Sequence, residues 1–493
     1  MLKKILCVFL TALMLVSVLV SCATSTSQGN DNSQNTNDAI TGGEETPPVP
    51  TETYNGYEYT ILMTNRNSDS VIVRDFEMTE QNATINVLNE ALYKRNRQME
   101  SEFDIVIVPI VDYRSTQNST ELITRANASA ESEYDLCIIG TYSASTLAMN
   151  GELCDLNNYG SIDLTKSWWD QNINRDLTVD GKVFFTTGDI SLVATQAMYG
   201  LVFNKEMFDE KGWEYPYELV KEGKWTFDKL KEYSAKISDD LDGDDAMGQF
   251  DQYGFGYINS TCMAFLNAAG ARIAKVNNDG EFELTVAEER ASAAVVDFIT
   301  FTKNKGYTFN GQKGTDGTNQ TAIGMFADGQ LLFRAVEHLG FPHLRDTELN
   351  YGILPLPKYD EAQTQYYTPV GSWDGAYVCI PKYTADVERT STIIERTAYI
   401  SQVIVTPAYY TRTLEGKYVK DEDSYDMIAL QISSRMYDPG YMFNFGGLQD
   451  SITQLSLNFS TNYTSMLKAY QSKAQAAVDS TNTEFKNSQN FAD

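Results

Sequence analysis

Residues 240–251 read DLDGDDAMGQFD, with Asp240, Asp242 and Asp244 at alternate positions and Asp251 at the twelfth place of the run. Oxygen donors at positions 1, 3, 5 and 12, with a backbone carbonyl at 7 (here Ala246), form a pattern that coordinates calcium. Two departures stand out: the glycine of the sixth position is replaced by Asp245, and the short Asp251 replaces a bidentate glutamate. The expectation is a structural calcium or an acidic solvated turn, in either case a brace on the lobe that carries it. No cofactor is required elsewhere. Patterns for bond chemistry are scarce, because His338 and His343 are the only histidines and no HExxH, GxSxG or Gly-rich phosphate loop occurs. A glycosidase would need only two carboxylates, and a chain with 67 Asp and Glu supplies these without specificity. These residues by themselves assign no catalytic residue and leave a secreted glycosidase open.

The elements that would carry such sites begin after an N-terminal leader. In MLKKILCVFLTALMLVSVLVSCATS two lysines precede an apolar run that closes on small residues, the order of a secretory signal, here residues 1–22. Leu19-Val20-Ser21-Cys22 resembles the bacterial lipobox. That resemblance implies a diacylated Cys22 and an anchor on the extracytoplasmic face of the cell membrane. Residues 23–53 are rich in Ser, Thr, Asn, Gly and Pro and predict a flexible spacer. The formal charge of −29 repels phosphate backbones, so nucleic acid is not an expected partner. Cys137, Cys154, Cys262 and Cys379 lie among apolar neighbours without metal-ligand spacing. They read as buried thiols, or as thiols with a Cys137–Cys154 disulfide.

The folded part opens with apolar runs at residues 56–64, 103–111 and 134–140. Between the first two lies a helical stretch with Ile85, Leu88, Leu92 and Met99 on one face; Leu122, Ile123 and Ala126 mark a second helix. A β-α-β-α-β order of continuous apolar strands predicts a parallel sheet covered on both faces. Ligands of open sheets sit beyond the carboxyl ends of the strands, which makes Asn65 and Arg66, Asp112 and Tyr113, and Thr141 and Tyr142 candidate contacts.

Further along, GLVFNKEMFDEKG and WTFDKLKE give a strand, a helix start and an amphipathic helix. With GKVFFTTGDIS (181–191), MFADGQLLFRAVEHLG (325–340), YGILPLPKYD (351–360) and GSWDGAYVCIPK (371–382), they resemble the family 1 extracellular solute-binding proteins of ABC importers. The resemblance covers nearly the whole chain after the spacer. It implies an α/β fold of the type II periplasmic-binding-protein kind, with two lobes that close on a ligand by hinge motion, a permease partner and a monomeric receptor. The crossings are expected near Thr187–Ala197, Ala322 and Val370–Tyr377. The N-terminal lobe is then 54–190 plus about 322–370, and the C-terminal lobe about 191–321 plus 371–493. Several solute-binding proteins carry a turn like the 240–251 run, here lengthened by roughly two residues, which bears on whether Asp251 reaches an ion.

A sugar or oligosaccharide is the expected ligand, from that resemblance and from 30 Tyr, 23 Phe and 5 Trp that suit sugar-ring faces. Peptides, polyamines, metals and anions are the other cargoes the resemblance allows. Trp373 leads the candidates because Gly371 and Gly375 flank it at an expected crossing, and Asp374 beside it would accept hydroxyls. Asp189, Tyr142, Arg66, Asn65, Arg334, Tyr441 and Asn444 complete the expected contacts. Trp168 and Trp169 form either a stacking platform or a packed pair under a loop. A surface glycan-binding lipoprotein without a transporter fits the same features.

Overall fold

The structure, a computed structural model, describes residues 51–64, 75–112, 119–313, 319–344, 347–410 and 421–488. The leader, Cys22, nearly all of the spacer, and Asn65, Arg66 and Tyr113 lie outside the described residues.

The opening sheet forms as its apolar runs predict. Tyr57–Thr64 pairs in parallel with Ile105–Asp112, residue for residue from Tyr57 opposite Ile105 to Thr64 opposite Asp112. On its other edge Ile61–Met63 pairs in parallel with Leu136–Ile138. The helix Val87–Phe103 makes the first crossover, capped by the Asn86 side chain, which accepts from the Asn89 amide at 2.9 Å. Leu88, Leu92 and Met99 are buried on it as expected. Ile85 is not: it precedes the cap and is exposed, because the helix begins two residues after it. The same helix buries Arg95, whose guanidinium donates to Asp75 O, Ile190 O, Asn96 Oδ1 and Ser401 Oγ. Those bonds offset the cost of burying the charge.

A fourth strand, Ala376–Cys379, joins this first sheet antiparallel to Leu136–Gly140 and sets Cys379 opposite Cys137. All four described cysteines are free thiols, so the Cys137–Cys154 disulfide does not form.

In the second sheet Tyr199–Asn204 lies beside the edge strand Tyr351–Leu354 and is antiparallel to both it and Leu331–Glu337. Leu331–Glu337 pairs in parallel with Gln252–Tyr257, which also pairs in parallel with Thr308–Asn310. Strand pairing therefore corrects the expected lobe membership. Of residues 322–370, expected to return to the first lobe, Leu331–Glu337 and Tyr351–Leu354 pair in the second sheet and Thr368–Pro369 pairs with Arg435–Met436; among the described residues the chain rejoins the first sheet at Ala376–Cys379. No crossing occurs near Ala322: it lies in the Asn319–Ala327 helix, against Gly311 and next to the second sheet.

The other two expected crossings run side by side. Thr186 and Val378 exchange backbone hydrogen bonds at 3.0 and 2.8 Å, and the Gly371 amide donates to Ala197 O at 2.8 Å. Met198 bridges Val370 between them. Two antiparallel segments thus tie the sheets together, the one rising from Thr186 to Tyr199 and the other returning from Val370 to Ala376.

Candidate functional site

At the carboxyl end of Leu136–Gly140 the helix Thr141–Met149 starts, and Thr141 donates to Gly375 O from both its amide and its hydroxyl, each at 3.2 Å. Gly375 in turn donates to Gly371 O at 2.9 Å, closing a tight turn around Ser372, Trp373 and Asp374. Both glycines are required by close approach. A Cβ at Gly371 would stand 2.4 Å from Glu337 Oε1 and 3.2 Å from Tyr199 Cε2, and one at Gly375 would stand 2.8 Å from the Tyr377 hydroxyl. Because the turn is sealed on that side, Trp373 is directed outward and is 60 % exposed, while Ser372 is buried. The Trp373 ring meets Tyr142 edge-on, with centroids 6.0 Å apart.

The last contributor comes from residues 438–442. Asp438 accepts from the amides of Ile273 at 2.8 Å, Ala274 at 3.2 Å and Gly440 at 2.8 Å, and from Asn267 Nδ2 at 2.9 Å. This carboxylate fixes the helix Pro439–Met442 and, through it, buried Tyr441. Electrostatics mark the convergence. Burial pushes the Tyr142 phenol up, with the charges of Asp450 and Asp374 adding to it. Burial does the same to Tyr441, with Tyr142, Glu337 and Asp374 facing it. Tyr199 is raised by burial, then by Glu337, Tyr441 and Asp374, and its hydroxyl shares a 2.7 Å hydrogen bond with Ser260 Oγ. Arg334, buried in the Leu331–Glu337 strand, is pushed down to about 10 by burial, with Tyr199 and Glu337 opposing the shift.

Four of the expected contacts, Tyr142, Trp373, Asp374 and Tyr441, thus gather near Tyr199 and Glu337, while Arg334, three residues before Glu337, starts from the opposite face of the same strand. Sequence reasoning missed Tyr199, Glu337 and Asp450. Tyr199 heads a strand directly after a crossing and Glu337 closes its neighbour, a placement that signals them only once the pairing is known. Asn444 joins through its Nδ2, which donates to Asp450 Oδ2 at 2.7 Å. Aromatic faces, phenols and carboxylates around a short turn can bind a polyhydroxylated molecule; they contain no nucleophile–base pair.

Three further candidates, Trp168, Trp169 and Asp189, lie elsewhere. Trp168 and Trp169 are 1 % and 2 % exposed, and both indoles donate to one carboxylate, to Glu395 Oε1 at 3.0 Å and Oε2 at 2.8 Å. They are a packed pair, not a platform; burial raises Glu395 to about 7 against these two hydrogen bonds. Asp189 lines a separate recess of about 380 Å³ with Trp168, Asp170, Tyr410 and Arg435. There it accepts from Thr406 Oγ1 at 2.7 Å, and burial lifts it to about 6.

In the acidic turn the carboxylate oxygens of Asp240, Asp242 and Asp244 lie within 4.8 Å of one another, all three exposed. Asp251 is not with them: its Oδ1 accepts from the Leu241 amide at 2.8 Å and its Oδ2 from the Gly248 amide at 2.5 Å. Asp240 already accepts from the amides of Gly243 and Asp245. Three carboxylates fall short of the six to eight oxygens that calcium takes, so the residues fit that ion only in part.

No family model and no curated protein matches the chain. Solved structures do. An ABC substrate-binding protein from Listeria monocytogenes in complex with cycloalternan superposes with a TM-score of 0.54 at 12% identity, covering 86% of this chain and 98% of that one. A cyclo/maltodextrin-binding protein complexed with maltotetraose gives 0.55 at 14%, covering 88% and 98%. UgpB from Mycobacterium tuberculosis in complex with glycerophosphocholine gives 0.56 at 15%, covering 81% and 97%. Likeness at this level of identity speaks to architecture, and the chain has the two-lobed α/β fold of the ABC substrate-binding proteins.

Proposed function

We propose that the chain is the substrate-binding receptor of an ABC importer, capturing a sugar or oligosaccharide between its lobes and delivering it to a membrane permease. The observation that carries this reading is the convergence of Tyr142, Trp373, Asp374 and Tyr441, from three separate stretches of chain, where the crossing segments join the two sheets. An exposed indole offers its face to the C–H side of a sugar ring, and carboxylates and phenols take the hydroxyls. Cycloalternan and maltotetraose in proteins of the same fold support that ligand class. Two lobes joined by paired segments suit closure about a hinge, and the closed form is what a permease would recognise. Binding is the whole task, without bond cleavage. A lipid on Cys22 would hold the monomeric receptor at the outer face of the cell membrane, with residues 23–53 as its tether.

The test is the melting temperature of the purified protein against a panel of oligosaccharides, with amino acids, short peptides and polyamines as controls. A ligand at a hundred times its dissociation constant adds about 2.7 kcal/mol. A shift confined to one glycan series, without released product, is the expected result. Product release would indicate a glycosidase, and a shift from a peptide or polyamine alone would overturn the ligand class. For the anchor, Cys22→Ser should release the protein from the membrane fraction into the medium.

A further inference from the structure

A larger recess than the one at Asp189, of about 610 Å³, opens at the edge of the second sheet, where Gln252–Tyr257 pairs with Thr308–Asn310. Four aromatic residues line it, Tyr253, Tyr257, Phe309 and Phe459, and the Tyr253 and Phe309 rings lie 5.3 Å apart. This volume and this lining are those of a small-molecule site. None of these residues belongs to the group around Trp373.

Phe459 takes its place there against a conformational preference. The helix Leu448–Leu457 ends in a Schellman turn, with the Ser460 amide donating to Leu455 O at 2.9 Å and the Phe459 amide to Ser456 O at 3.1 Å. Glycine is the usual residue at the left-handed position of that turn, yet here Phe459 holds it with a φ of 50°. It is the only aromatic with positive φ among the described residues. Its ring packs against the core but is only half-buried and still lines the recess. Backbone strain of this kind collects at ligand-binding positions.

The polar atoms of the lining are already committed to the protein. The Tyr253 hydroxyl donates to Gly248 O at 2.9 Å, that of Thr302 to Phe298 O at 2.9 Å and that of Thr308 to Asn304 O at 2.7 Å. Asn310 donates from Nδ2 to Asn259 Oδ1 and accepts from the Gln312 amide at Oδ1, both at 3.1 Å. A sugar, with a hydroxyl on nearly every carbon, would find few partners here. Among the described residues that line the recess none is a carboxylate, and exposed Lys305 is the one cation.

We infer that this recess is a second binding site, separate from the cleft at Trp373, which takes a small aromatic carboxylate, its ring among the four aromatic residues and its acid group at Lys305. Ring faces and edges supply the affinity, and the ammonium selects an acid over an amine.

Titration calorimetry of the purified protein with phenylacetate and benzoate, against benzyl alcohol and benzylamine, tests the site. Saturable binding of the acids is expected, with the alcohol weaker and the amine weakest. Phe459→Gly removes the ring and suits the turn, so the melting temperature of the ligand-free variant should equal or exceed that of the wild type. Its affinity for the acids should fall about tenfold or more. Lys305→Gln should bring the acids down to the affinity of the alcohol. The inference is overturned if neither acid binds the wild type, if benzylamine binds as tightly as the acids, or if Phe459→Gly leaves their affinity unchanged. A lower melting temperature for Phe459→Gly together with unchanged affinity would make the ring a packing element. Glycan titrations of the same proteins are read separately, so the sugar reading stands or falls independently of this site.

Discussion

Trp373 and Trp168 were both candidates from the chain alone, and their fates differ because of partners far away in sequence. GSWDGAY places a tryptophan between two glycines, and glycines that allow close backbone approach leave a large ring nowhere to go but outward. Two adjacent tryptophans carry no such cue. Glu395, more than two hundred residues downstream, binds both indoles and makes them core. Trp373→Ala should therefore weaken ligand binding about ten- to a hundredfold, a loss of about 1.4–2.8 kcal/mol. Because the ring is mostly exposed, the melting temperature of the free protein should barely move. Titration calorimetry alongside a thermal melt checks both; a strong destabilisation without loss of affinity would make Trp373 a packing residue.

Paired crossing segments position the site, and Gly371 is their tightest point. Gly371→Ala would push a methyl group against Glu337 and Tyr199. Overpacking of this kind costs about 1–3 kcal/mol, so denaturant unfolding should show a lower midpoint with an unchanged slope. The crossings near Thr187–Ala197 and Val370–Tyr377 were expectations drawn from the family resemblance, and the sheet membership of Leu331–Glu337 and Tyr351–Leu354 was not legible in the chain. Both are continuous apolar runs, a pattern that specifies burial on two faces without naming the neighbour. The acidic turn is an element that closes on itself, with its carboxylates bonded to its own amides and Asp251 engaged from Leu241 and Gly248. Millimolar calcium is expected to raise the melting temperature by less than about one degree, since few ligand positions remain. A rise of several degrees, abolished by Asp242→Asn, would establish a calcium brace.

Across the whole molecule, several buried carboxyls shape the response to pH. Burial raises Asp75 and Asp189 to about 6 and Glu395 to about 7. Each binds its proton more tightly folded than unfolded, so its contribution to stability is fully present below the unfolded values near 4 and is lost as pH rises through the folded ones. Melting temperature should accordingly fall between about pH 4.5 and pH 7.5. The overall charge of −29 adds repulsion in the same direction. Glu395→Gln separates the two causes: it should flatten the upper part of the slope while leaving the net-charge background almost unchanged. An unaltered slope in that variant would assign the effect to the background alone.

Local order was readable along the chain in the parallel β-α-β-α-β opening and in the clustering of Asp240, Asp242 and Asp244 on one turn. Those features depend on periodicity and turn chemistry, both of which act between near neighbours. Long-range pairing settled the rest. It set Cys137 opposite Cys379, placed Leu331–Glu337 and Tyr351–Leu354 in the second sheet, and turned Asp251 inward onto backbone amides. It also brought Tyr199 and Glu337 against Gly371. Hydrogen bonds and burial across hundreds of residues have no signature in a local window, because the energy that selects them exists only once the sheets have come together.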